Sequence, residues 1–276
     1  MAEIGRWNSL EVVKELDFGV YLNGMVHGEI LMPIRYVPEG TKPGDMVDVF
    51  IYLDSEDRLI ATTEQPIAQV GDFALLECIS VNSIGAFLDW GLMKDLFVPF
   101  REQRQKMEVG YAYVVYIYVD EQTNRIVGSA KVEDYLDLAP HNFTEGQEVD
   151  LVIYNQTDIG FKAIINNTHI GVIYTKDVFR EVERGEKTKG YIKKIRADNK
   201  IDLIIDKPGY EKVDEVSKKI LEKLKEQQGF IPLVDKSPAG DVYDMFGISK
   251  KTFKKAIGGL YKAQLITIEE NGIKLV

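Results

Sequence analysis

The chain has 276 residues, 45% of them hydrophobic and 28% charged, which is enough for two or more domains with apolar cores. It has no run near the ~18 apolar residues of a membrane span, no leader-like amino terminus, and no second cysteine to pair with Cys78. We therefore expect a cytoplasmic protein without a membrane partner. The formal net charge of −10 disfavours nucleic acid as a partner unless the cations are gathered in one part of the chain.

A pattern of two short apolar strands around a glycine occurs three times. The three copies read DFGVYLNGMVHGEILMP at 17–33, SIGAFLDWGLMKDLFVPF at 83–100 and DIGFKAIINNTHIGVIY at 158–174. The shared glycines are Gly19, Gly85 and Gly160. A glycine inside a strand marks a bend or a close approach of two backbones, so each copy predicts a sharply turned pair of strands.

Each copy continues into a glycine-led β-rich run, a polar turn and a last apolar strand that follows a basic residue, at 44–62, 110–129 and 185–205. Five short strands at a spacing of ~70 residues predict tandem β modules. Such modules close into small barrels because closure removes exposed strand edges. Proline-marked junctions divide them into 1–65, 66–139 and 140–207.

The last segment, 208–276, changes to a helical period. A helix is predicted over 214–227, followed by a strand-like FIPLV and a further helix. Ser249 is the predicted N-cap of another helix from Lys250 to about Lys262, and Asn271-Gly272 is the turn of a closing hairpin. This order predicts a winged helix. The expected fold class is mainly β and multidomain, with three tandem five-stranded OB-fold (S1-like) barrels before a small α+β winged-helix domain.

Each repeat resembles an S1 domain, the OB-fold barrel of many RNA-binding proteins, through the glycine beside an aromatic, the glycine-led β run and the acid and base before the last strand. Three such units and a winged helix resemble, over essentially the whole chain, the bacterial conserved virulence factor B family. The resemblance implies RNA-binding positions on each barrel: two aromatics flanking the glycine, an aromatic or histidine ending the third strand, and an Asp/Arg pair.

The three repeats match these positions unequally. The first has, in that order, Phe18, Tyr21, Leu31, Asp54 and Arg58. The second has Ile84, Phe87, Val98, Asp120 and Arg125. The third has Ile159, Lys162, Tyr174, Arg196 and Lys200.

The charge distribution selects the carboxyl-terminal half as the RNA-binding end. The net charge is −7 over 1–65, −5 over 66–139, 0 over 140–207 and +2 over 208–276. Five cations surround Tyr191 within 187–196, and four lysines form a stripe at i, i+4 spacing on the predicted recognition helix. The predicted RNA-binding residues are Lys162, Tyr174, Lys187, Lys189, Tyr191, Lys193, Lys194, Arg196, Lys200, Lys250, Lys251, Lys254 and Lys255. Weaker candidates in the acidic repeats are Phe18, Tyr21, Arg58, Phe87 and Arg125.

These patterns predict a non-catalytic RNA-binding regulatory protein without a cofactor. The third barrel and the winged helix are expected to hold single-stranded RNA, the winged helix being also a candidate for DNA, and the two acidic barrels to serve as a spacer or to dock a protein. An alternative from another class is a protein-interaction scaffold of the translation or transcription machinery. In the acidic repeat 66–139, Phe87 and Trp90 are expected to pack rather than to stack on bases.

Catalysis and metal binding have little support in the sequence. The enzymatic alternative is a two-metal nuclease built on the acidic run LDSED at 53–57, which we interpret as a solvated loop. The histidines, His27, His141 and His169, fall one to a repeat in unrelated contexts, so we expect no metal site.

Overall fold

A computed structural model describes residues 2–178, 180–205 and 215–276 of the chain. Within these residues, three closed five-stranded barrels precede a winged helix, so the predicted fold class is confirmed. Barrel 1 consists of β1 (Trp7–Leu16), β2 (Gly19–Asn23), β3 (Glu29–Pro33), β4 (Met46–Leu53) and β5 (Leu59–Thr62). Barrel 2 consists of β6 (Phe73–Val81), β7 (Gly85–Leu88), β8 (Leu96–Pro99), β9 (Ala112–Val119) and β10 (Ile126–Ser129). Barrel 3 consists of β11 (Glu148–Thr157), β12 (Gly160–Ile165), β13 (His169–Tyr174), β14 (Lys187–Ile195) and β15 (Ile201–Ile204).

The strands follow the same cyclic order in all three barrels. In barrel 1 this order is β1-β2-β3-β5-β4, and closure brings β3 and β5 together in parallel, with Leu31 opposite Ile60. The strand sequences alternate, so every second side chain points into the barrel and is buried, as Leu10 and Val12 are on β1. The remaining side chains form the outer surface, which is where a ligand can be bound.

The repeat glycines permit a close approach of two backbones, as the sequence predicts. A Cβ atom on Gly85 would lie 2.4 Å from the carbonyl oxygen of Val98 and 2.9 Å from Cα of Pro99. The same position of barrel 1, Gly19, has φ +153° and would place a Cβ 2.2 Å from the carbonyl oxygen of Met32. Any side chain at these positions would force the second and third strands of the barrel apart.

The carboxyl-terminal domain has the predicted helices and wing. Its elements are α1 (Glu215–Glu226), β16 (Phe230–Ile231), α2 (Ala239–Phe246), α3 (Lys250–Lys262), β17 (Ile266–Ile268) and β18 (Ile273–Leu275). The hydroxyl of Ser249 accepts a hydrogen bond from the backbone N–H of Thr252 at 3.1 Å, which satisfies one of the free donors of the first turn of α3. The apolar side of α3 packs into the domain core through Phe253, Ile257 and Leu260.

The described residues form two compact units. The first takes those of 1–142, 150–172 and 181–188, and the second those of 143–149, 173–180 and 189–276. The first therefore holds barrels 1 and 2 together with part of barrel 3, and the second holds the winged helix with the other part of barrel 3.

Barrels 1 and 2 share a core and a set of ion pairs. Trp90 of barrel 2 is buried, with its ring edge-on to that of Phe50 in barrel 1 at 5.8 Å, which confirms the expectation that Trp90 packs. Asp57 accepts from Nζ of Lys94 at 3.0 Å and from the guanidinium of Arg125, both of barrel 2. Residues 55–57 of the acidic turn are exposed, as the sequence suggested, and the carboxylate of Asp57 also joins the two barrels.

A second polar contact joins barrel 2 to strands β11 and β12. Glu133, in a short 3-10 helix of barrel 2, accepts from Nζ of Lys162 at 2.9 Å, from the hydroxyl of Tyr154 at 3.1 Å and from Arg104. Partial burial raises the pKa of a carboxyl group, but these three donors outweigh it and lower the pKa of Glu133 to about 2. Around this contact, Phe73 and Val114 of barrel 2 pack against Ile164.

We expect Gly85→Ala to destabilise the protein by about 1–3 kcal/mol, since the new methyl group meets backbone atoms that cannot rotate away. The measurement is the urea unfolding midpoint of the full chain. Gly240→Ala is the control, because nothing lies within 4 Å of a Cβ there and alanine favours the helix. Equal midpoints for the two variants would contradict the close approach.

The hydrogen bonds of Glu133 should make the free energy of unfolding depend on pH in the acid range. Because the folded pKa of Glu133 is below the ~4.3 of an unfolded glutamate, its bonds stabilise the fold above that pH and are lost as pH falls toward about 2. We expect Glu133→Gln to lower the unfolding free energy by about 2 kcal/mol at pH 6 and by much less at pH 2.5. Urea unfolding at both pH values measures this. Glu121→Gln, at an exposed position of the same barrel, is the control, and a Glu133→Gln effect that is the same at both pH values would refute the assignment.

Candidate nucleic-acid interface

The outer side of the second and third strands of each barrel carries the positions that the sequence singles out, and we call it the stacking face. Its register is the same in barrels 1 and 2. Tyr21 lies opposite Leu31, and Phe87 lies opposite Phe97. These four side chains are half-buried, so they present part of their surface to solvent.

Barrel 1 has an exposed pair of rings on its stacking face. Phe18 is 54% exposed and meets the ring of Tyr21 edge-on at 6.4 Å. The ammonium of Lys14 lies 5.6 Å from the centre of the Tyr21 ring, within the range of a cation–π contact. Arg58 forms ion pairs with Asp54 at 2.8 Å and with Glu56 at 3.0 Å. The predicted Asp/Arg pair of this barrel is therefore formed, and its cation is already neutralised.

In barrel 2, the outward-facing residue of the third strand is one position before the residue that the sequence predicted. Val98, which the sequence assigned there, is fully buried, whereas Phe97 points outward with its ring 5.2 Å from that of Phe87. Strand alternation explains the error, because a slip of one residue moves a side chain to the opposite side of the sheet. The stacking face of barrel 2 is therefore apolar, with Phe87, Phe97 and Ile84, which is 58% exposed.

The predicted acid and base of barrel 2 do not form an ion pair with each other. The guanidinium of Arg125 binds Asp57 of barrel 1, and Asp120 accepts from Arg101 at 3.0 Å. Their backbones still close the turn, since the N–H of Asp120 donates to the carbonyl of Arg125 at 2.9 Å. The turn therefore forms as the sequence match implies, and the two side chains bind other partners.

Barrel 3 also shows an offset in its third strand. A short 3-10 helix follows the third strand in every barrel, preceded by Pro33 in barrel 1, Pro99 in barrel 2 and Tyr174 in barrel 3. Tyr174 therefore occupies the position of the prolines, and Val172 is the counterpart of Leu31. Because the two positions differ by two residues, Tyr174 still points outward from the barrel.

Cations surround the ring of Tyr174. The guanidinium carbon of Arg196 lies 5.7 Å and the ammonium of Lys176 5.5 Å from its centre. Arg196 also donates to the Tyr174 hydroxyl and pairs with Asp202 at 2.6 Å. The hydrogen bond to Asp202 raises the pKa of the Arg196 guanidinium. This is a half-buried ring held between cations, which suits stacking on a base near a phosphate.

Strand β14 has an outer row of polar side chains. Gly190 and Ile192 point inward and are buried, so Lys187, Lys189 and Tyr191 lie on the outer side. The hydroxyl of Tyr191 donates to Glu148 at 3.0 Å, and burial together with this carboxylate raises the pKa of the phenol.

Several predicted cations are engaged within the fold. Five have a carboxylate within ion-pair distance: Lys162 with Glu133, Lys193 with Asp177, Arg196 with Asp202, Lys200 with Asp198 and Lys254 with Asp235. Four predicted lysines are exposed and form no ion pair with any residue that the structure describes: Lys187, Lys194, Lys251 and Lys255.

The stripe on α3 is accordingly narrower than predicted. Lys251 and Lys255 lie one turn apart on the exposed side of the helix. Lys254 pairs with Asp235 at 3.0 Å, and the ammonium of Lys250 donates to the carbonyl of Lys236 at 3.2 Å. Two of the four predicted lysines thus face solvent without a carboxylate partner among the described residues.

The wing is acidic at its tip. Its turn carries Glu269 and Glu270, both exposed, and is closed by a hydrogen bond from the N–H of Glu269 to the carbonyl of Gly272 at 2.8 Å. Two carboxylates would repel a phosphate backbone, so α3 rather than the wing tip is the element suited to a polyanion.

Two of the three histidines are neighbours, although the sequence places them in unrelated contexts. The rings of His141 and His169 are 5.9 Å apart, and Nε2 of His169 lies 2.9 Å from the carbonyl oxygen of Ala139. Among the residues that the structure describes, no group of His, Cys, Asp or Glu side chains has an arrangement that could hold a metal ion. None of the described helices is long and apolar enough to cross a membrane.

Relatives with similar sequences cover most of the chain. The protein YitL of Bacillus subtilis (strain 168) is 27% identical over 97% of this chain and 92% of its own length. Conserved virulence factor B of Staphylococcus saprophyticus is 23% identical over 84% of this chain and 80% of its own length. A crystal structure of a multidomain protein with nucleic acid binding domains from Streptococcus pneumoniae TIGR4 is 24% identical, covers 99% of this chain and 98% of its own, and superposes with a TM-score of 0.44.

Two family models match separate parts of the chain. An S1 domain matches residues 4–64, and a CvfB-like winged helix domain matches residues 218–275. S1 and winged-helix domains suggest nucleic-acid binding. The resemblance noted in the sequence is therefore confirmed: the chain is similar to conserved virulence factor B proteins over most of its length and contains an S1 domain and a CvfB-like winged helix domain.

Proposed function

We propose that the protein is a non-catalytic, cytoplasmic RNA-binding regulator in which barrel 3 and the winged helix hold single-stranded RNA. The observation that carries this proposal is the cationic surrounding of Tyr174 together with the exposed Lys194 on β14. In a chain of net charge −10, the segments whose net charge is not negative, 140–207 and 208–276, are the ones best suited to bind a polyanion.

Single-stranded RNA fits this surface better than a duplex. A ring held between cations can stack on an unpaired base while its neighbours bind the adjacent phosphates, and this requires no groove. On the winged helix, Lys251 and Lys255 offer phosphate contacts, whereas the acidic tip at Glu269 and Glu270 disfavours the backbone contact that a wing would make to duplex DNA.

The acidic barrels contribute less in this account. Barrel 1 keeps the rings of Phe18 and Tyr21, but Arg58 is paired with two carboxylates. A second candidate function, a protein-interaction scaffold, is favoured by barrel 2, where Ile84, Phe87 and Phe97 form an apolar face and Arg125 is engaged with Asp57. A scaffold keeps its partners after nuclease digestion, whereas partners recruited through RNA are lost.

Removing the two exposed lysines of α3 should weaken RNA binding and flatten its salt dependence. We expect Lys251→Ala/Lys255→Ala to lower the affinity of the full chain for oligo(U) about tenfold. The slope of log K against log[salt] should become shallower by about 1.4, since each lost single-strand phosphate contact accounts for ~0.7. Filter binding at several salt concentrations measures both quantities.

The control for this pair is Lys42→Ala/Lys106→Ala, which removes the same charge from exposed positions in barrels 1 and 2. It should leave affinity and slope near the wild-type values. An unchanged slope for the α3 variant would exclude the winged helix from the RNA site.

Tyr174 should contribute by stacking rather than by its hydroxyl group. Tyr174→Leu is expected to weaken oligo(U) binding by about 1–3 kcal/mol, whereas Tyr174→Phe, which keeps the ring, should lose much less. Fluorescence titration of the full chain with labelled oligo(U) measures both variants. Tyr111→Leu, at a site 62% exposed in barrel 2, serves as the matched control. Equal losses for the Leu and Phe variants would show that the ring does not stack.

A further inference from the structure

A cavity of about 120 Å³ lies in the first compact unit, and none of its described lining residues is among those assigned above to RNA. Its polar lining comes from Arg104 and Glu133 of barrel 2, Tyr154 and Asn155 of β11, and Arg184, which precedes β14. The cavity volume is several times the ~10–15 Å³ that one ordered water molecule needs, so a small polyatomic ligand can enter.

The cavity carries more positive than negative charge. Glu133 is the only carboxylate among its described lining residues, and both of its oxygens are occupied by donors from Arg104, Lys162 and Tyr154. Because these donors lower the pKa of Glu133 to about 2, it remains ionised at neutral pH. Arg184 is exposed and forms no ion pair with any residue that the structure describes. Among the described lining residues, two cations, Arg104 and Arg184, thus accompany a single carboxylate.

The donor set matches a phosphate group. A guanidinium presents its N–H donors in a planar fork that binds two oxygens of a phosphate at once, and the cavity offers two such forks. The amide of Asn155 adds a further donor at the same wall. The bond between Glu133 and Arg104 fixes the orientation of one fork, so less side-chain freedom is lost when a ligand binds.

The positive surplus of the lining favours the more strongly charged of two phosphate groups, a monoester over a diester. A phosphate monoester carries between −1.5 and −2 charges near neutral pH, since its second pKa is about 6, whereas each diester of a nucleic-acid backbone carries one. We propose that this cavity is a binding site for a phosphate monoester or inorganic phosphate. Its ligand is either the terminal phosphate of an RNA strand or a free nucleotide or phosphate ion.

The test is a calorimetric titration of the full chain with inorganic phosphate, in a buffer free of other multivalent anions. We expect phosphate to bind the wild type and Lys106→Ala saturably and with equal affinity. Lys106→Ala is the control, because it removes an exposed cation of barrel 2 outside the cavity. Arg184→Ala should bind at least tenfold more weakly. Arg184→Lys should fall between the two, because it keeps the charge and loses the fork. Arg184 is exposed, and the melting temperature of its variants without phosphate reports whether they fold.

Absence of saturable phosphate binding by the wild type, or equal affinity of wild type and Arg184→Ala, would overturn the proposal. A second titration identifies the source of the phosphate. If a 5′-phosphate strengthens oligo(U) binding by the wild type but not by Arg184→Ala, the site holds an RNA terminus. If uridine 5′-monophosphate binds in an Arg184-dependent manner and the 5′-phosphate on oligo(U) has no effect, it holds a free nucleotide. Both results are independent of Tyr174 and the lysines of α3, so this site can fail without the proposed RNA surface failing.

Discussion

The close approach of the second and third strands at the repeat glycines is the constraint from which the barrel surfaces follow. At Gly19 and Gly85 a side chain would collide with the carbonyl oxygen of the neighbouring strand, so the two backbones meet there in one register only. That register places Tyr21 opposite Leu31 and Phe87 opposite Phe97. Because side chains alternate along a strand, the same register decides which residues enter the core and which face a ligand.

Several charged side chains of this fold form ion pairs between barrels. Asp57 draws Lys94 and Arg125 into the contact between barrels 1 and 2, and Glu133 draws Arg104 and Lys162 into the contact between barrel 2 and β12. A lysine that completes such a contact is a poor partner for phosphate, because releasing it leaves a partly buried carboxylate without a counter-charge. An arginine such as Arg104 has five N–H donors and can keep its carboxylate while it binds a second anion. The number of lysines in a segment therefore overstates its capacity for RNA, and their partners must be known first.

The sequence predicts what depends on local period and capping. The span of α3 and its N-cap at Ser249 were predictable, because helix periodicity and a capping hydroxyl are short-range signals. The hairpin of the wing was also predicted, but its pairing of Ile268 with Ile273 centres the turn on Glu270-Asn271 rather than on Asn271-Gly272. Contacts between distant segments were not. Phe97 was missed because the register of β8 is set by β7, and the partner of Arg125 was missed because Asp57 lies in another repeat. The cavity beside Glu133 has no sequence signal, since its arginines are far apart in the chain and only the fold brings them together.

The ion pair between Lys162 and Glu133 limits which residues of barrel 3 can contribute to the RNA site that we propose. At the two positions flanking its glycine this barrel has Ile159 and Lys162 in place of rings, and Lys162 is held by Glu133. The remaining ring is Tyr174 at the end of β13, and β15 and then β14 follow β13 in the barrel order. In the RNA site that we propose, one cation beside this ring is Arg196, which is anchored by Asp202 of β15. Barrel 3 thus has cations beside the Tyr174 ring instead of a second ring. This arrangement favours attraction of the RNA phosphate backbone over recognition of base sequence.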